Sequence, residues 1–421
     1  MVYVLDIGLP KGARELSNKI SNELLAKKHV KLKNDPNNIH SYPAKMIKSI
    51  PEVIIPRFSN QGDIILDPFC GSGTVLLESK LHQRNAIGLD VNPLAVLISN
   101  VKTKDIRLEK ISYMKAQILK KAKLKSTKYK LNFPNKDYWF TKSAQRQLEA
   151  LFVEINNIDY PIYKNFFLLC LSGCVRYASR ADPEIIPPVI SKRMKVGLRN
   201  KRAKVIKKFS EIVDKNASAL ATISQNNKNL NITALVGDAR NMPIESNTIN
   251  LVLTSPPYIS AQKYARSLKL ELFWTGLISP EEFVKIDSET IGTERVSINK
   301  DFSNIKIKDK NLANLLNKIK KVSKKRYVIT LNYFANMEQS IKEIYRVIKP
   351  GGYFILLIGE NSVCGIKIPN GKILTEYAII NGFKLVTVTE DNIKTYGFMT
   401  RRNKTAGIID KEEIIIFQKV Q

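Results

Sequence analysis

An α/β fold is predicted: a doubly wound, mainly parallel sheet with an antiparallel hairpin at its C-terminal end and a mainly helical segment inserted into it. Three observations predict it. Short apolar runs of strand length alternate with helix-forming stretches in both halves of the chain. Two of these runs end in distinctive turn chemistry, Asp67-Pro68-Phe69-Cys70-Gly71-Ser72-Gly73-Thr74 and Ser255-Pro256-Pro257-Tyr258. Between them, the interval from Asp90 to Asp238 is far longer than a connecting helix needs, so something has been inserted there. The chain therefore divides into a sheet domain over 1–104 and 231–421 and a basic, mainly helical domain over 105–230.

In chain order, His40-Ser41-Tyr42-Pro43-Ala44-Lys45 leads into an apolar helix from Met46 to Phe58, interrupted by Pro51 and Pro56. Gly62-Asp63-Ile64-Ile65 opens a strand, and Thr74 to Ser79 has helix-forming composition. Gly71 and Gly73 lack a Cβ, so the backbone between them turns sharply and comes close to a ligand, whose polar groups meet the free N–H groups opening the helix. Such turns also occur for packing reasons; the full spelling with an aromatic inside is the more specific signal. Ala86-Ile87-Gly88-Leu89-Asp90 reads as a second strand. Its Asp90 stands about 20 residues beyond the turn, where a carboxylate accepts from both ribose hydroxyls of a nucleoside. Asn92-Pro93 then starts another helix, and Ala234 to Ala239 forms a third strand bearing Asp238. A lone Asp is normally a helix cap or a solvated loop group; two acids at successive strand ends favour binding.

The inserted segment begins with a lysine-rich helical stretch from Leu108 to Lys130, continues through an apolar helix from Phe166 to Tyr177, breaks at Pro187-Pro188, and ends in a basic run from Lys192 to Lys208. Basic residues interleaved with Tyr138, Trp139 and Tyr177 are what a DNA-contacting domain carries, although each lysine taken singly reads as a solvated helical face. After Asp238, Ile249 to Leu253 forms a fourth strand and Tyr264 to Trp274 an amphipathic helix. Ile291 to Arg295 and the lysine-rich stretch to Lys325 read as a substrate-facing loop. A helix from Ile341 to Ile348, a sharp turn at Lys349-Pro350-Gly351-Gly352 and a strand follow, and Gly382 to Val388 with Glu412 to Phe417 form the closing antiparallel pair. The loop Met399 to Lys404 is a further candidate for phosphate contact.

Ser255 to Tyr258 lies at the carboxyl end of its strand, the edge at which open α/β sheets bind ligands. Two consecutive prolines fix the backbone and remove two donors, leaving the carbonyls of Ser255 and Pro256 to accept from an amino group. Ser255 adds a hydroxyl acceptor, and Tyr258 a flat face on which a base stacks.

On these strings the sequence resembles the S-adenosylmethionine-dependent DNA amino-methyltransferases, specifically those acting on the exocyclic N4 of cytosine, over most of the chain outside 105–230. The resemblance implies a Rossmann-like methyltransferase fold. It implies a donor site at Asp67, Phe69, Gly71, Gly73, Thr74, Asp90 and Asn92, with Asp238 at the donor's adenine amino group and His40, Tyr42 and Lys45 near its methionine end. It implies catalysis at Ser255, Pro256, Pro257 and Tyr258. Serine at 255 favours cytosine, because adenine-N6 enzymes more often carry Asp or Asn there. The expected partner is double-stranded DNA with a flipped base, together with a cognate restriction endonuclease acting on the same site. The insertion precedes Asp238 rather than following it, which departs from the family's class order, so no base-reading residue is carried over. The rivals are adenine-N6 methylation, methylation of structured RNA, and a catalytically silent nucleic-acid-binding protein on the same fold.

Composition agrees with a nucleic-acid partner: 68 Lys+Arg against 38 Asp+Glu leave a formal charge of +30 and a pI near 9.8. At 421 residues with 44% hydrophobic content, the chain is long enough for substantial cores. The four cysteines read as reduced thiols, with Cys170 and Cys174 one helical turn apart for packing. Neither follows a proline, against methylation at cytosine C5. Three histidines without a ligand cluster predict no metal. No apolar run reaches membrane-spanning length and the first residues lack a signal layout, so the expected location is cytoplasmic.

Overall fold

The computed structural model describes residues 11–27, 34–124, 130–185, 187–190, 203–223, 229–259, 264–297, 310–392 and 411–420. Among them the strands are β1 (Ile64–Asp67), β2 (Asn85–Asp90), β3 (Ile232–Val236), β4 (Ile249–Thr254), β5 (Ile348–Gly359), β6 (Asn361–Val363), β7 (Ile366–Ile368), β8 (Phe383–Asn392) and β9 (Lys411–Lys419). β6 and β7 form a small hairpin of their own, and the others form one sheet in the order β3-β2-β1-β4-β5-β9-β8. β1 to β5 run parallel, and β9 runs antiparallel between β5 and β8. Chain order reverses direction between β1 and β4. That is the switch point of a doubly wound sheet, where a crevice opens beyond the carboxyl ends of the strands.

The alternation of side chains along each strand feeds two faces. Leu66, Leu89, Val252, Phe354 and Phe417 turn to one, where they meet α14 (Lys324–Val347) through Ile329, Phe334, Ile341 and Ile344; α13 (Lys310–Val322) and α15 (Asn370–Ile380) complete that layer. Ile65, Leu251, Leu253, Ile355 and Ile416 turn to the other, against α1 (Lys11–Lys27), α2 (Ser49–Phe58) and α3 (Thr74–Leu81).

The described residues of the long interval after α4 (Pro93–Thr103) are mainly helical: α5 (Leu108–Leu124), α6 (Lys136–Trp139), α7 (Lys142–Asn156), α8 (Pro161–Ala178) and α9 (Val205–Leu220). Its core is not separate from the sheet. Phe140, Phe166, Phe167 and Phe209 share one cluster with Leu94, Leu97 and Ile98 of α4 and with Leu272 to Trp274 of the α10 (Tyr264–Ser267) and α11 (Lys269–Trp274) region. Trp274 is fully buried, edge-on to Phe133 and Phe140 at 5.6 and 5.3 Å. Cys170 and Cys174 are buried thiols of α8 in this cluster. The last helix before α13 is α12 (Pro280–Glu289).

Some boundaries depart from the sequence reading. α2 begins at Ser49 rather than Met46, which puts Pro51 in the first turn, where a missing N–H costs nothing. The stretch from Tyr264 to Trp274 breaks into two helices at Leu268. Lys349 to Gly352 is no free turn but an irregularity inside β5, where the register against β4 shifts between Ile249 and Leu251. Gly352 is required there, since a Cβ would lie 2.8 Å from the Asn250 carbonyl oxygen. Residues 191–202 of the second basic run and the loop 399–404 lie outside the described residues. No described helix is long and apolar enough to cross a membrane.

Candidate active site

The carboxyl ends of β1, β2, β3 and β4 converge on one cleft enclosing about 740 Å³, part of it open to solvent. After β1 the chain turns through Gly71 (φ +49°) and Gly73 (φ +72°), conformations that favour glycine. The two do different work. A Cβ on Gly71 would lie 3.2 Å from the Tyr42 ring, so this glycine lets the aromatic lie on the turn at the cleft wall. A Cβ on Gly73 would lie 2.6 Å from Ser99 Oγ and 3.0 Å from Ser99 Cα, so this glycine lets α3 and α4 pack together.

β2 ends in Asp90, a cleft residue whose two carboxylate oxygens accept from separate backbone groups, Gly71 N–H at 3.0 Å and Asn92 N–H at 2.8 Å. Burial pushes Asp90 up to about 6 in spite of both bonds. Asn92 caps α4 by accepting from Leu94 N–H at 3.0 Å, with Pro93 in the first helical position. Its amide nitrogen faces no described partner and is buried in the cleft lining.

β3 is followed directly by Gly237 and Asp238, and here a neighbour missed from sequence takes part. Arg240 Nε donates to both Asp238 oxygens at 2.9 and 3.0 Å, its Nη1 to Asn336 Oδ1 at 3.0 Å and its Nη2 to the Glu289 carbonyl at 3.1 Å. Burial works to raise Asp238, but the Arg240 hydrogen bonds and charge override it and hold the carboxyl below its ordinary value. The same arginine ties β3 to the end of α12, whose Ile286, Glu289, Thr290 and Ile291 form the facing wall.

β4 delivers Ser255 and Pro257 to the cleft. Thr254 Oγ1 donates to the buried Asp67 Oδ1 at 2.6 Å and Phe69 N–H donates to the same oxygen at 3.1 Å, so Asp67 joins the two strand ends. Burial lifts Asp67 to about 7, against the Thr254 and Phe69 bonds. Tyr258 stands beyond the cleft lining, with its hydroxyl donating to Glu412 Oε1 at 2.7 Å.

Of the residues singled out from sequence, the cleft brings together Tyr42, Phe69, Gly71, Asp90, Asn92, Asp238, Ser255 and Pro257. Asp67, Gly73, Thr74, Pro256 and Tyr258 sit directly behind or beside it. His40 and Lys45 point elsewhere. The His40 ring lies 2.9 Å from Ser41 O and from Ser172 Oγ, and burial lowers it to about 4. Lys45 Nζ donates to Asn37 O at 2.8 Å. Asp-x-Arg at the end of a strand was the signal available for Arg240; Glu412 and the α12 wall carried none.

A family model described as DNA methylase matches residues 14–101. The type II methyltransferase M.MvaI of Kocuria varians is 25% identical over 86% of this chain and 85% of its own length, and M.BsoBI of Geobacillus stearothermophilus is 22% identical over 92% and 86%. Over residues 14–101 the chain is similar to the N6/N4 DNA methylases. A third relative, the type II methyltransferase M.MjaII of Methanocaldococcus jannaschii, is 31% identical over 31% of the chain and 27% of its own length. Among solved structures, an S-adenosylmethionine-dependent methyltransferase of Methanosarcina mazei aligns with a TM-score of only 0.31 at 11% identity, over 90% of this chain and 99% of that one, so the fold assignment rests on strand order.

The methyl donor of such an enzyme is S-adenosylmethionine, and the cleft fits it. Asp90 keeps lone pairs beyond its two N–H bonds for ribose hydroxyls, and the buried Asn92 amide offers an unused donor. Phe69, Val91, Pro257 and Ile291 supply apolar walls for a flat base.

Proposed function

We propose that this methylase transfers a methyl group from S-adenosylmethionine to the exocyclic N4 of a cytosine extruded from duplex DNA, as the modifying half of a restriction-modification pair. The observation that carries this reading is the presence of Ser255 and Pro257 in the same cleft as Asp90, at the switch point of the sheet. The DNA methylase model that matches residues 14–101 supports the DNA substrate, and the type II methyltransferases similar to the chain support methyl transfer.

Bound in the cleft, S-adenosylmethionine supplies an electrophilic methyl group on sulfur. Asp90 would accept from the ribose hydroxyls, Asp238 held by Arg240 would meet the adenine, and Tyr42 on Gly71 would flank the methionine end. His40 and Lys45 hold the Tyr42 segment through Ser172 and Asn37. Cytosine N4 is a poor nucleophile because its lone pair is delocalised into the ring. The Ser255 hydroxyl and the Pro256 carbonyl would accept hydrogen bonds from its two N–H groups, favouring a tetrahedral nitrogen whose lone pair is directed at the methyl group; the electron pair of the broken S–CH3 bond stays on sulfur and one amino proton leaves to solvent. A base inside a duplex cannot reach the cleft, so it is flipped at a cost of a few kcal/mol and stacked on Tyr258. The charge of +30 strengthens phosphate binding and makes it salt-dependent, and the helical segment at 105–230, with Tyr138 53% exposed, is the domain that selects the DNA site.

Transfer of labelled methyl from S-adenosylmethionine to duplex DNA tests this. Wild type labels DNA, whereas Ser255→Ala binds the donor normally and transfers at least a hundredfold more slowly. Undiminished transfer by Ser255→Ala, or label in RNA but not in duplex DNA, refutes it.

A further inference from the structure

Four contacts among the described residues brace the loop that follows β4. Thr254 is bonded to Asp67. Gly292 (φ +80°) lies so close that a Cβ would come within 2.8 Å of the Tyr258 carbonyl oxygen. Asn361 Nδ2 donates to Ile259 O at 2.9 Å. The first joins side chains at the end of β4 and the next two hold the backbone of the loop, while the Tyr258 ring packs against the core cluster. The fourth contact acts on the far end of that ring, where its hydroxyl donates to Glu412 Oε1 at 2.7 Å across 154 residues of chain.

Glu412 is set by the sheet itself. It lies on β9 opposite Gly359 of β5 and Asp391 of β8, so its backbone is paired on both sides. Its neighbour Glu413 is driven up to about 7 by burial and by Glu360 and Glu390, so this corner of the sheet is already crowded with acids. A further carboxylate beside a site that must receive a polyanion is electrostatically adverse in a chain that is otherwise strongly basic. A charge-assisted bond to a tyrosine offsets that cost and anchors the far end of the ring.

Building on the target-pocket reading of Ser255 to Tyr258, we infer that Glu412 is a positioning residue for the target base: its carboxylate anchors the hydroxyl end of the Tyr258 ring on which the extruded base stacks. The residue acts through Tyr258 and touches neither donor nor target.

The test is a double-variant cycle on the full-length enzyme, read as single-turnover methyl transfer to duplex DNA, with donor affinity measured alongside. Tyr258→Phe and Glu412→Ala are each expected to slow transfer about tenfold with unchanged donor affinity, the range for a hydrogen bond to a charged group. The double variant is expected to be no slower than the slower single one. Glu412→Gln, whose amide oxygen accepts from the same hydroxyl, is expected to recover to within a few-fold of wild type. Wild-type transfer by Glu412→Ala, losses that multiply in the double variant, or a loss that tracks donor affinity would overturn the inference while leaving the target pocket intact. Absence of methyl transfer to DNA by the wild-type enzyme would overturn the pocket reading and this inference with it.

Discussion

Replacing Gly73 by alanine separates a packing glycine from a donor-binding one. Its φ of +72° costs an L-residue about 1–2 kcal/mol. The new Cβ also falls 2.6 Å from Ser99 Oγ, 2.8 Å from Ser99 Cβ and 3.0 Å from Ser99 Cα, an overpacking worth about 1–3 kcal/mol. Gly73→Ala should therefore lose about 2–5 kcal/mol of stability. Ser99→Gly alone forfeits the Ser99 Oγ bond to Gly71 O at 3.0 Å and places glycine in a helix, a loss of about 1–2 kcal/mol. In the double variant the two closest clashes vanish, leaving the φ strain and the crowding against the α4 backbone. Its loss should thus fall short of the sum of the singles by about 1–2 kcal/mol. Urea unfolding midpoints at constant m-value measure all three, and titration with S-adenosylmethionine measures donor affinity, expected unchanged in Gly73→Ala. Strictly additive losses, or a stable Gly73→Ala that no longer binds donor, would refute the packing role.

Three further outcomes follow from the cleft. Asp90 must be ionised to accept from two hydroxyls, and its value near 6 makes donor affinity fall as pH drops below about 6, by up to tenfold per unit; Asp90→Asn should flatten that profile. Acid unfolding does not mimic the effect, because a carboxyl raised above its unfolded value near 4 contributes most stability below about pH 4 and loses it as pH rises towards 6. Thr254→Val removes the 2.6 Å bond to buried Asp67 and should cost about 1–3 kcal/mol. The deficit should grow as pH rises through about 7, where that carboxyl ionises, and a pH-independent deficit in unfolding free energy would count against the link. Arg240→Ala releases Asp238 and unties the α12 wall, so donor affinity should weaken about tenfold; unaltered affinity by calorimetry would remove Arg240 from the site.

Chemistry carried by neighbours in sequence was legible from the sequence alone. Asp90 with Asn92-Pro93 announced a strand end and a helix cap together, and the fold has both. The apolar runs near 383 and 412 announced the closing antiparallel strands, because short runs rich in β-branched and aromatic residues read as strands. Chemistry carried by contacts distant in sequence was not legible. Ser279-Pro280-Glu281-Glu282 is visible as a capping box, and it forms one, but nothing in it says that Ile286 to Ile291 will face the donor cleft. Gly71 and Gly73 look alike in the string, and only the positions of Tyr42 and Ser99 separate their tasks. His40 and Lys45 share a string with Tyr42, yet burial turns the one onto Ser172 and the other onto Asn37.

The central claim, methyl transfer to a cytosine amino group, is tested most directly by exposing unmethylated duplex DNA to the protein and S-adenosylmethionine, digesting it to nucleosides and separating these by mass spectrometry. The account predicts N4-methylcytosine, lost in Ser255→Ala. N6-methyladenine without N4-methylcytosine would contradict it.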